Sequence, residues 1–297
     1  MNPAAETVAV LGAGSTMGRP IAANIARAGI AVRAWNRSPE KAEPLRADGA
    51  TLCDSAAEAT AGATIVLTML SDAGAVLATI EDALADGARP ALWLQMSTVG
   101  IEGTERCAQL AERHGIAFAD APVLGTKQPA ENGELVILGS GPEDARERLD
   151  PILDAIGKRT MWLGAAGAGS ALKLAINGWI LGVVETAAET LALAEGIGVD
   201  PRTVLDAVSG GPLDLPYLQL KGRAMIERSF EPSFRLTLAA KDARLVVDAT
   251  ERYGLDLPVL RAIASRLSEG AERHGDADMA ATFLTSAPDE RTSQAEA

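Results

Sequence analysis

Cysteine, histidine and aromatic side chains are scarce in this chain of 297 residues. It contains two cysteines and two histidines, and aromatic residues make up 3% of it. Cys53 and Cys107 lie far apart, so they cannot by themselves form a disulfide framework or a metal site, and a reducing compartment is favoured. The histidines, His114 and His274, each lie in a copy of AERHG at a predicted helix end, where a cation is stabilised by the helix dipole. We therefore expect no metal and no catalytic histidine.

Positive charge is also in short supply. Lysine and arginine number 27 against 40 acidic residues, for a net charge of -13. Such a surface repels phosphate backbones, which argues against nucleic acid and anionic membranes as partners. The most apolar stretch, residues 171–184, is shorter than the roughly 20 residues a bilayer needs. A strand-like run from Thr7 leaves no room for a targeting leader, so we expect a cytoplasmic protein.

The first half of the chain alternates between short apolar runs and alanine-rich helical stretches. This alternation predicts an α/β domain with a parallel sheet and helices on both faces. The predicted strands are residues 7–11, 31–35, 63–70, 91–96, 116–121 and 134–139. The predicted helices are residues 17–28, 39–48, 55–61, 72–86, 101–114 and 143–156.

The second half shows helical periodicity and no convincing strand. We predict an all-helical domain entered through one long helix from about Ala168 to Glu195. The expected organisation is a dinucleotide-binding domain over 1–165, a substrate and dimerisation domain over 166–287, and a frayed tail over 288–297.

A glycine motif follows the first predicted strand and precedes a helix. Gly12, Gly14 and Gly18 allow a tight turn, and the free N–H groups at the helix N-terminus, which includes Met17, can meet a pyrophosphate. This strand–turn–helix context predicts a dinucleotide site. The spacing is GxGxxxG, one residue longer than the usual GxGxxG.

The second predicted strand ends at Asn36, Arg37 and Ser38. An NAD-selective site places a carboxylate here to bind the ribose 2′-hydroxyl. Arg37 instead suits a 2′-phosphate, because its planar guanidinium can meet two phosphate oxygens. The sequence thus favours NADP(H), the alternative being that Arg37 is only a solvated loop residue.

Lys173 and Asn177 are the only polar side chains in residues 171–184. They are spaced i and i+4 on a helix that is otherwise apolar on every side and hence buried. A buried ammonium needs a cavity, a ligand or a partner, although a lysine near a helix start can also reach water. Carbonyl reduction needs a proton donor, and Lys173 is our candidate, with Asn177 orienting the substrate or holding the ammonium.

Several segments, in chain order, match a known family. They are the glycine motif with RPIAANIARAG, NRSPEKA (36–42), MSTV (96–99), DAPVLGTKQPAENGELVILGSG (120–141), GAAGAGSALKLAIN (164–177) and KDARLVVDA (241–249). Over about residues 7–286 the chain resembles the β-hydroxyacid dehydrogenases, a family related to 3-hydroxyisobutyrate dehydrogenase. The fourth segment is most similar to the glyoxylate/succinic semialdehyde reductase branch.

The resemblance implies a Rossmann domain followed by a helical domain, a small-molecule substrate, and a homodimer or homotetramer. It implies catalytic roles for Lys173 and Asn177 and a substrate loop at Leu124, Gly125 and Thr126. It also implies that Lys241 reaches the cofactor with Asp242 as its partner, although an ordinary surface ion pair is the competing interpretation. The full set of expected cofactor contacts is Gly12, Gly14, Met17, Gly18, Asn36, Arg37, Ser38, Met69, Leu70, Thr98 and Lys241.

Leu124 departs from the related branch, whose loop has serine at this position. Losing that hydroxyl removes a donor for a polar substrate group. Our first hypothesis is an NADPH-dependent reductase of a small carboxylate-bearing aldehyde or semialdehyde. The alternatives are a 3-hydroxyacid dehydrogenase working oxidatively, an imine reductase, and a non-catalytic NADP-binding protein. Imine reductases usually lack the lysine that this chain retains as Lys173.

Overall fold

The computed structural model of the chain describes residues 6–287. Its backbone divides into two units, the first ending at Lys173 and the second beginning at Leu174. The division that the sequence suggested, at residues 165/166 with a tail over 288–297, stays a prediction, and the tail lies outside the described residues.

A six-stranded parallel sheet forms the centre of the first unit. Its strand order is β3-β2-β1-β4-β5-β6. Side chains of β4 and β5 alternate between two cores: Ile65 and Leu67 pack with helices on one face, whereas Val66 and Trp93 pack with helices on the other. The doubly wound α/β fold is thereby confirmed. The strands are β1 (Thr7–Leu11), β2 (Ala31–Trp35), β3 (Thr51–Leu52), β4 (Ile65–Thr68), β5 (Leu92–Gln95) and β6 (Ala117–Asp120).

The helices of this unit follow the predicted ones closely except at residues 39–48 and at Lys127–Glu131, a short helix that the sequence did not predict. Residues 39–48 form two short 3₁₀ helices, Pro39–Lys41 and Glu43–Arg46, in place of one α-helix. Pro44 has no N–H to donate to the preceding turn and its ring crowds the carbonyl there, which disfavours one continuous α-helix over residues 39–48. The α-helices are α1 (Gly18–Arg27), α2 (Ala56–Thr60), α3 (Ala73–Leu84), α4 (Gly100–Arg113), α5 (Lys127–Glu131) and α6 (Glu143–Ile156).

A second, three-stranded sheet lies beside the first in the same unit. It consists of β7 (Val123–Leu124), β8 (Leu135–Gly139) and β9 (Gly157–Trp162), with β8 in the middle. The β7–β8 pair is antiparallel and the β8–β9 pair is parallel. Only β8 was predicted from the sequence. The strand β9 was missed because its exposed Lys158 and Arg159 lack the apolar pattern of a buried strand.

Helices make up the second unit, and within its described residues, 174–287, there is no strand, only an isolated bridge between Arg235 and Asp278. The core packs Leu181 and Leu191 with Leu236, Leu267 and Phe283. The helices are α7 (Ala168–Gly196), which begins in the first unit, then α8 (Pro201–Val208), α9 (Pro216–Ile226), α10 (Leu236–Arg252) and α11 (Pro258–His274), followed by a 3₁₀ helix, Met279–Thr285.

By length and composition, α7 is the one helix among residues 6–287 that qualifies as a membrane span. This is weak evidence, because the core helix of a folded domain passes the same test. Leu181, Val184 and Leu191 on α7 are at most 1% exposed and lie in the core of the second unit.

Candidate functional site

The glycine motif forms a turn too tight for any larger residue. A Cβ on Gly12, whose φ is +94°, would lie 2.3 Å from the carbonyl oxygen of Met69. A Cβ on Gly18 would lie 2.1 Å from the carbonyl oxygen of Gly12, and one on Gly14 would lie 2.7 Å from the side chain of Asn36. The motif therefore presents bare backbone at the carboxyl end of β1, as a bound pyrophosphate requires.

The turn accommodates the extra residue of the GxGxxxG spacing. Ser15 Oγ accepts a 2.9 Å hydrogen bond from the Gly18 N–H and donates to the Met69 carbonyl oxygen at 3.3 Å. Thr16 is exposed, Met17 is half-buried, and α1 begins at Gly18. The helix N-terminus thus stays at the turn despite the longer spacing.

Other expected cofactor contacts gather at the same edge of the sheet. Met69 and Leu70 follow β4, and the Leu70 N–H donates to Ser97 Oγ at 2.8 Å, next to the half-buried Thr98 after β5. The strand order reverses between β1 and β4, and ligands of such sheets bind outside the carboxyl ends at that point. These residues fit a dinucleotide.

Arg37 lies exposed in the turn after β2. The amide of Asn36 donates to the Ser38 carbonyl oxygen at 2.9 Å, which shapes the turn. Within residues 6–287 no hydrogen bond or ion pair engages the Arg37 guanidinium. The side chain therefore has the exposure that an anion-binding arginine needs.

The chain around the expected substrate loop, which we call the substrate segment, begins with strand β7. Leu124 is half-buried and pairs with Val136, and Gly125, with φ +121°, turns the chain into α5 after Thr126. The Lys173 ammonium donates a 2.7 Å hydrogen bond to the Val123 carbonyl oxygen. The fold thus brings the candidate proton donor to the residue preceding Leu124.

In the second unit, Asn177 and Lys241 both contact the carboxylate of Asp242. Asn177 Nδ2 donates to Asp242 Oδ2 at 2.8 Å, and Lys241 Nζ lies 2.7 Å from Asp242 Oδ1. Asn177 and Asp242 are 3% and 4% exposed. The competing interpretation of an ordinary surface pair does not describe Asp242, which is buried and contacts Asn177 as well as Lys241.

Sequence reasoning did not single out Asp120, the last residue of β6. Its side chain is fully buried, and its carboxylate accepts hydrogen bonds from the Ser170 N–H at 2.7 Å and the Ser170 hydroxyl at 2.9 Å. Burial raises the pKa of Asp120 to about 6, against the lowering effect of these bonds. The available signal was a carboxylate at the end of an apolar strand, directly before the substrate segment.

Two family models together match nearly the whole chain. The NAD-binding domain of 6-phosphogluconate dehydrogenase matches residues 7–164, and the NAD-binding domain of NADP-dependent 3-hydroxyisobutyrate dehydrogenase matches residues 167–284. A glyoxylate/succinic semialdehyde reductase 2 of Arabidopsis thaliana is 32% identical over 92% of this chain and 76% of its own length. A probable 3-hydroxyisobutyrate dehydrogenase of Mycobacterium tuberculosis is 33% identical over 94% and 97%. The chain belongs to the β-hydroxyacid dehydrogenase family.

A solved structure in this family agrees with the fold. The 3-hydroxyisobutyrate dehydrogenase of Mycobacterium tuberculosis, solved with L-serine, superposes with a TM-score of 0.84 at 31% identity, covering 95% of this chain and 99% of that one. As a β-hydroxyacid dehydrogenase, the chain is an NAD(P)-dependent oxidoreductase acting on hydroxyl or carbonyl groups. Its first unit is the Rossmann domain that the resemblance implied.

Proposed function

We propose that the protein is an NADPH-dependent reductase of a small aldehyde or semialdehyde bearing a carboxylate. The observation that carries the proposal is the Lys173 ammonium held at 2.7 Å from the Val123 carbonyl oxygen, beside the substrate segment. When bound, the nicotinamide supplies a hydride to the carbonyl carbon. The protein must then supply a proton to the oxygen.

Lys173 is the proposed donor of that proton. Its anchoring to Val123 restricts the ammonium to a small region, which favours proton transfer because a general acid must lie within hydrogen-bond reach of its target. An ammonium also stabilises the negative charge that develops on the carbonyl oxygen. Asn177, one helical turn further along α7, is the proposed positioning group.

The preference for NADPH over NADH is part of the proposal. The exposed Arg37, free of other partners within residues 6–287, supports it, because a guanidinium attracts a 2′-phosphate and gives nothing comparable to a 2′-hydroxyl. The other proposed contacts of the cofactor are Gly12, Gly14, Met17, Gly18, Asn36, Ser38, Met69, Leu70, Thr98 and Lys241.

The substrate class is supported by the name of the reductase from Arabidopsis thaliana. A second candidate is the oxidative direction, a 3-hydroxyacid dehydrogenase. The relatives named 3-hydroxyisobutyrate dehydrogenase favour it, as does the structure with L-serine, itself a 3-hydroxy acid. The half-buried Leu124 makes the substrate segment more apolar than a serine would, and an imine is therefore a third test compound.

A homodimer or homotetramer is proposed for the assembly. Trp179 and Leu193 on α7 are 59% and 63% exposed and lie within about 40° of each other around the helix axis, and Ile197, directly after the helix, is 68% exposed. An exposed apolar stripe of this length is typical of a contact between subunits.

The proposed location is the cytoplasm. Cys53 and Cys107 are both free thiols, which supports a location in the reducing cytoplasm.

One panel assay tests the function. NADPH and NADH oxidation would be followed with glyoxylate, succinic semialdehyde, other 3-oxo acids and cyclic imines, and the reverse reaction with NADP⁺ and 3-hydroxy acids. We expect the fastest turnover with NADPH and an acid aldehyde. Faster oxidation of a 3-hydroxy acid would favour the second candidate, and no turnover with any compound would contradict both.

A further inference from the structure

Asp120 is held rigidly where β6 ends, within the first unit. Its N–H donates to the Ser140 carbonyl oxygen at 2.8 Å, and its own carbonyl oxygen accepts from the Ser140 N–H at 2.7 Å. The side chain is fully buried. The backbone hydrogen bonds to Ser140 and the burial of the side chain therefore fix the position of the Asp120 carboxylate.

The Asp120 carboxylate accepts hydrogen bonds from the first turn of α7. It accepts from the N–H and the hydroxyl of Ser170, while the neighbouring Gly169 N–H donates to Ser140 Oγ at 3.0 Å. A Cβ on Gly169 would lie 2.1 Å from the Leu138 carbonyl oxygen, so the helix passes directly over the end of β8. The start of α7 is thus clamped to the strand ends.

Two sets of hydrogen bonds join residues 120–123 to residues 170–173 at the start of α7. Asp120 bonds to Ser170, and three residues further along each segment the Lys173 ammonium bonds to the Val123 carbonyl oxygen at 2.7 Å. Without the Asp120–Ser170 hydrogen bonds, the start of α7 would no longer be held in place. This part of the helix carries Lys173 to its contact with Val123. Asp120 therefore acts on the position of Lys173 through the backbone of α7.

A chain of hydroxyls allows the clamp to persist in both protonation states of Asp120. Thr104 Oγ1 lies 2.9 Å from Ser170 Oγ and 2.8 Å from the Gly100 carbonyl oxygen. When Asp120 is ionised, the Ser170 hydroxyl donates to it. When Asp120 is protonated, it donates to Ser170, Ser170 to Thr104, and Thr104 to Gly100. Protonation changes the charge at the helix start without breaking a contact.

We propose that Asp120 is a positioning residue, which sets the placement of the Lys173 ammonium through Ser170 and thereby the turnover rate. The proposal rests on the proposed function, in which Lys173 donates the proton. The Cys107 thiol of α4 interacts electrostatically with Asp120. Burial raises the pKa of Cys107 to about 12, so that thiol stays neutral.

Two substitutions separate geometry from charge. In Asp120→Asn, the amide oxygen can accept the Ser170 N–H and the amide nitrogen can donate to Ser170 Oγ, as the protonated acid does. Asp120→Ala loses both contacts. We expect Asp120→Ala to lower kcat by about 10- to 100-fold, with the Kd for NADPH nearly unchanged, because small misplacements of a reacting group are costly.

Asp120→Asn is expected to recover kcat to within about threefold of the wild type. Because the contacts of Asp120 persist on protonation, the wild-type kcat is likewise expected to change by no more than about threefold across the titration of Asp120, whose pKa is about 6. Should Asp120→Ala fail to fold, Ser170→Ala serves in its place, since it removes only the hydroxyl.

Lysine acylation provides a readout independent of turnover. The rate at which Lys173 reacts with acetic anhydride, measured by peptide mass spectrometry, should change in Asp120→Ala and not in Asp200→Ala. Asp200 is the matched control, because it is exposed and accepts the N–H of Arg202 at the start of α8.

A folded Asp120→Ala with wild-type kcat and wild-type Lys173 acylation would overturn the proposal, as would equal losses of kcat in the Asn and Ala variants. If Lys173→Ala itself keeps wild-type turnover, the proposed function fails, and the acylation rates alone then decide whether Asp120 positions Lys173.

Discussion

The side-chain amide of Asn177 donates its hydrogen bond to Asp242, at 2.8 Å. Because Lys241 contacts the other oxygen of the same carboxylate, one buried acid orients both an amide on α7 and an ammonium on α10. With its nitrogen turned to Asp242, Asn177 presents its carbonyl oxygen as an acceptor. Asn177 therefore suits an interaction with a donor such as a substrate hydroxyl, which is the positioning role we propose for it.

Replacing Arg37 with aspartate should weaken NADPH binding selectively. The change removes a charge-assisted contact to the 2′-phosphate, worth about 1.5–3 kcal/mol, and adds a repulsive carboxylate. Titration with NADPH and NADH would measure both Kd values, with Arg46→Asp as a control for the change in net charge. Equal affinity of the wild type for the two cofactors would rule out this role of Arg37.

Replacing Leu124 with serine should raise kcat/KM for glyoxylate or succinic semialdehyde. One new hydrogen bond to a polar substrate group would give an increase of about 3- to 10-fold. Val136→Ser is the control, because Val136 pairs with Leu124 on β8 and is also half-buried. An unchanged kcat/KM for both compounds would mean that residue 124 does not contact substrate or that the true substrate differs.

Replacing Lys221 with methionine should destabilise the second unit. The Lys221 ammonium lies 2.6 Å from Asp278 Oδ1, and both side chains are 4% exposed. Burial alone would raise the pKa of Asp278, but the Lys221 ammonium together with hydrogen bonds from the Ala280 and Ser233 N–H groups outweighs it and lowers that pKa. Removing the lysine leaves a buried carboxylate unpaired, at a cost of about 3–5 kcal/mol.

Urea denaturation would measure this loss against Arg46→Met. The Arg46–Glu43 pair is about 60% exposed, so its loss should cost less than about 1 kcal/mol. Similar free energies of unfolding for the two variants would contradict a structural role for the buried pair.

The sequence predicted five of the six strands of the parallel sheet, because buried parallel strands are continuous apolar runs, as in β1 and β4, but it did not predict the two-residue strand β3. It also located the glycine turn, since no side chain fits there. It did not predict β7 or β9, whose pairing with β8 depends on contacts distant in sequence. Nor did it predict the bonds of Asp120 to Ser170 or of Asn177 to Asp242, because residues 50 and 65 positions apart meet only through tertiary packing.

The stability of the protein should depend on the ionisation of Asp120. Its pKa is raised from 3.8 to about 6, so between these values the folded state holds a proton that the unfolded state has released. The free energy of unfolding therefore falls as pH rises from about 4 to 6, by roughly 3 kcal/mol for a shift of about two units. Asp120→Asn carries no such charge.

Urea denaturation of both proteins at about pH 4.5 and 7.5 would measure this contribution. The stability of Asp120→Asn relative to the wild type should increase with pH, and that of Asp200→Asn should not, since Asp200 is exposed. A difference between wild type and Asp120→Asn that does not vary with pH would show that Asp120 is ionised throughout this range.

Replacing Lys173 with alanine tests the proposed chemistry directly. General acid catalysis typically contributes 10²–10⁴-fold, so kcat on the best substrate should fall at least about 100-fold, or roughly 2.7 kcal/mol, while the Kd for NADPH changes little. Asn177→Ala should lose less kcat and raise KM, because the role that we propose for Asn177 is to position substrate and not to transfer a proton. Lys158→Ala is the control, since Lys158 is an exposed lysine on β9. Near-normal turnover by Lys173→Ala would remove this lysine from the mechanism and make Lys241, held by the same acid as Asn177, the next donor to test.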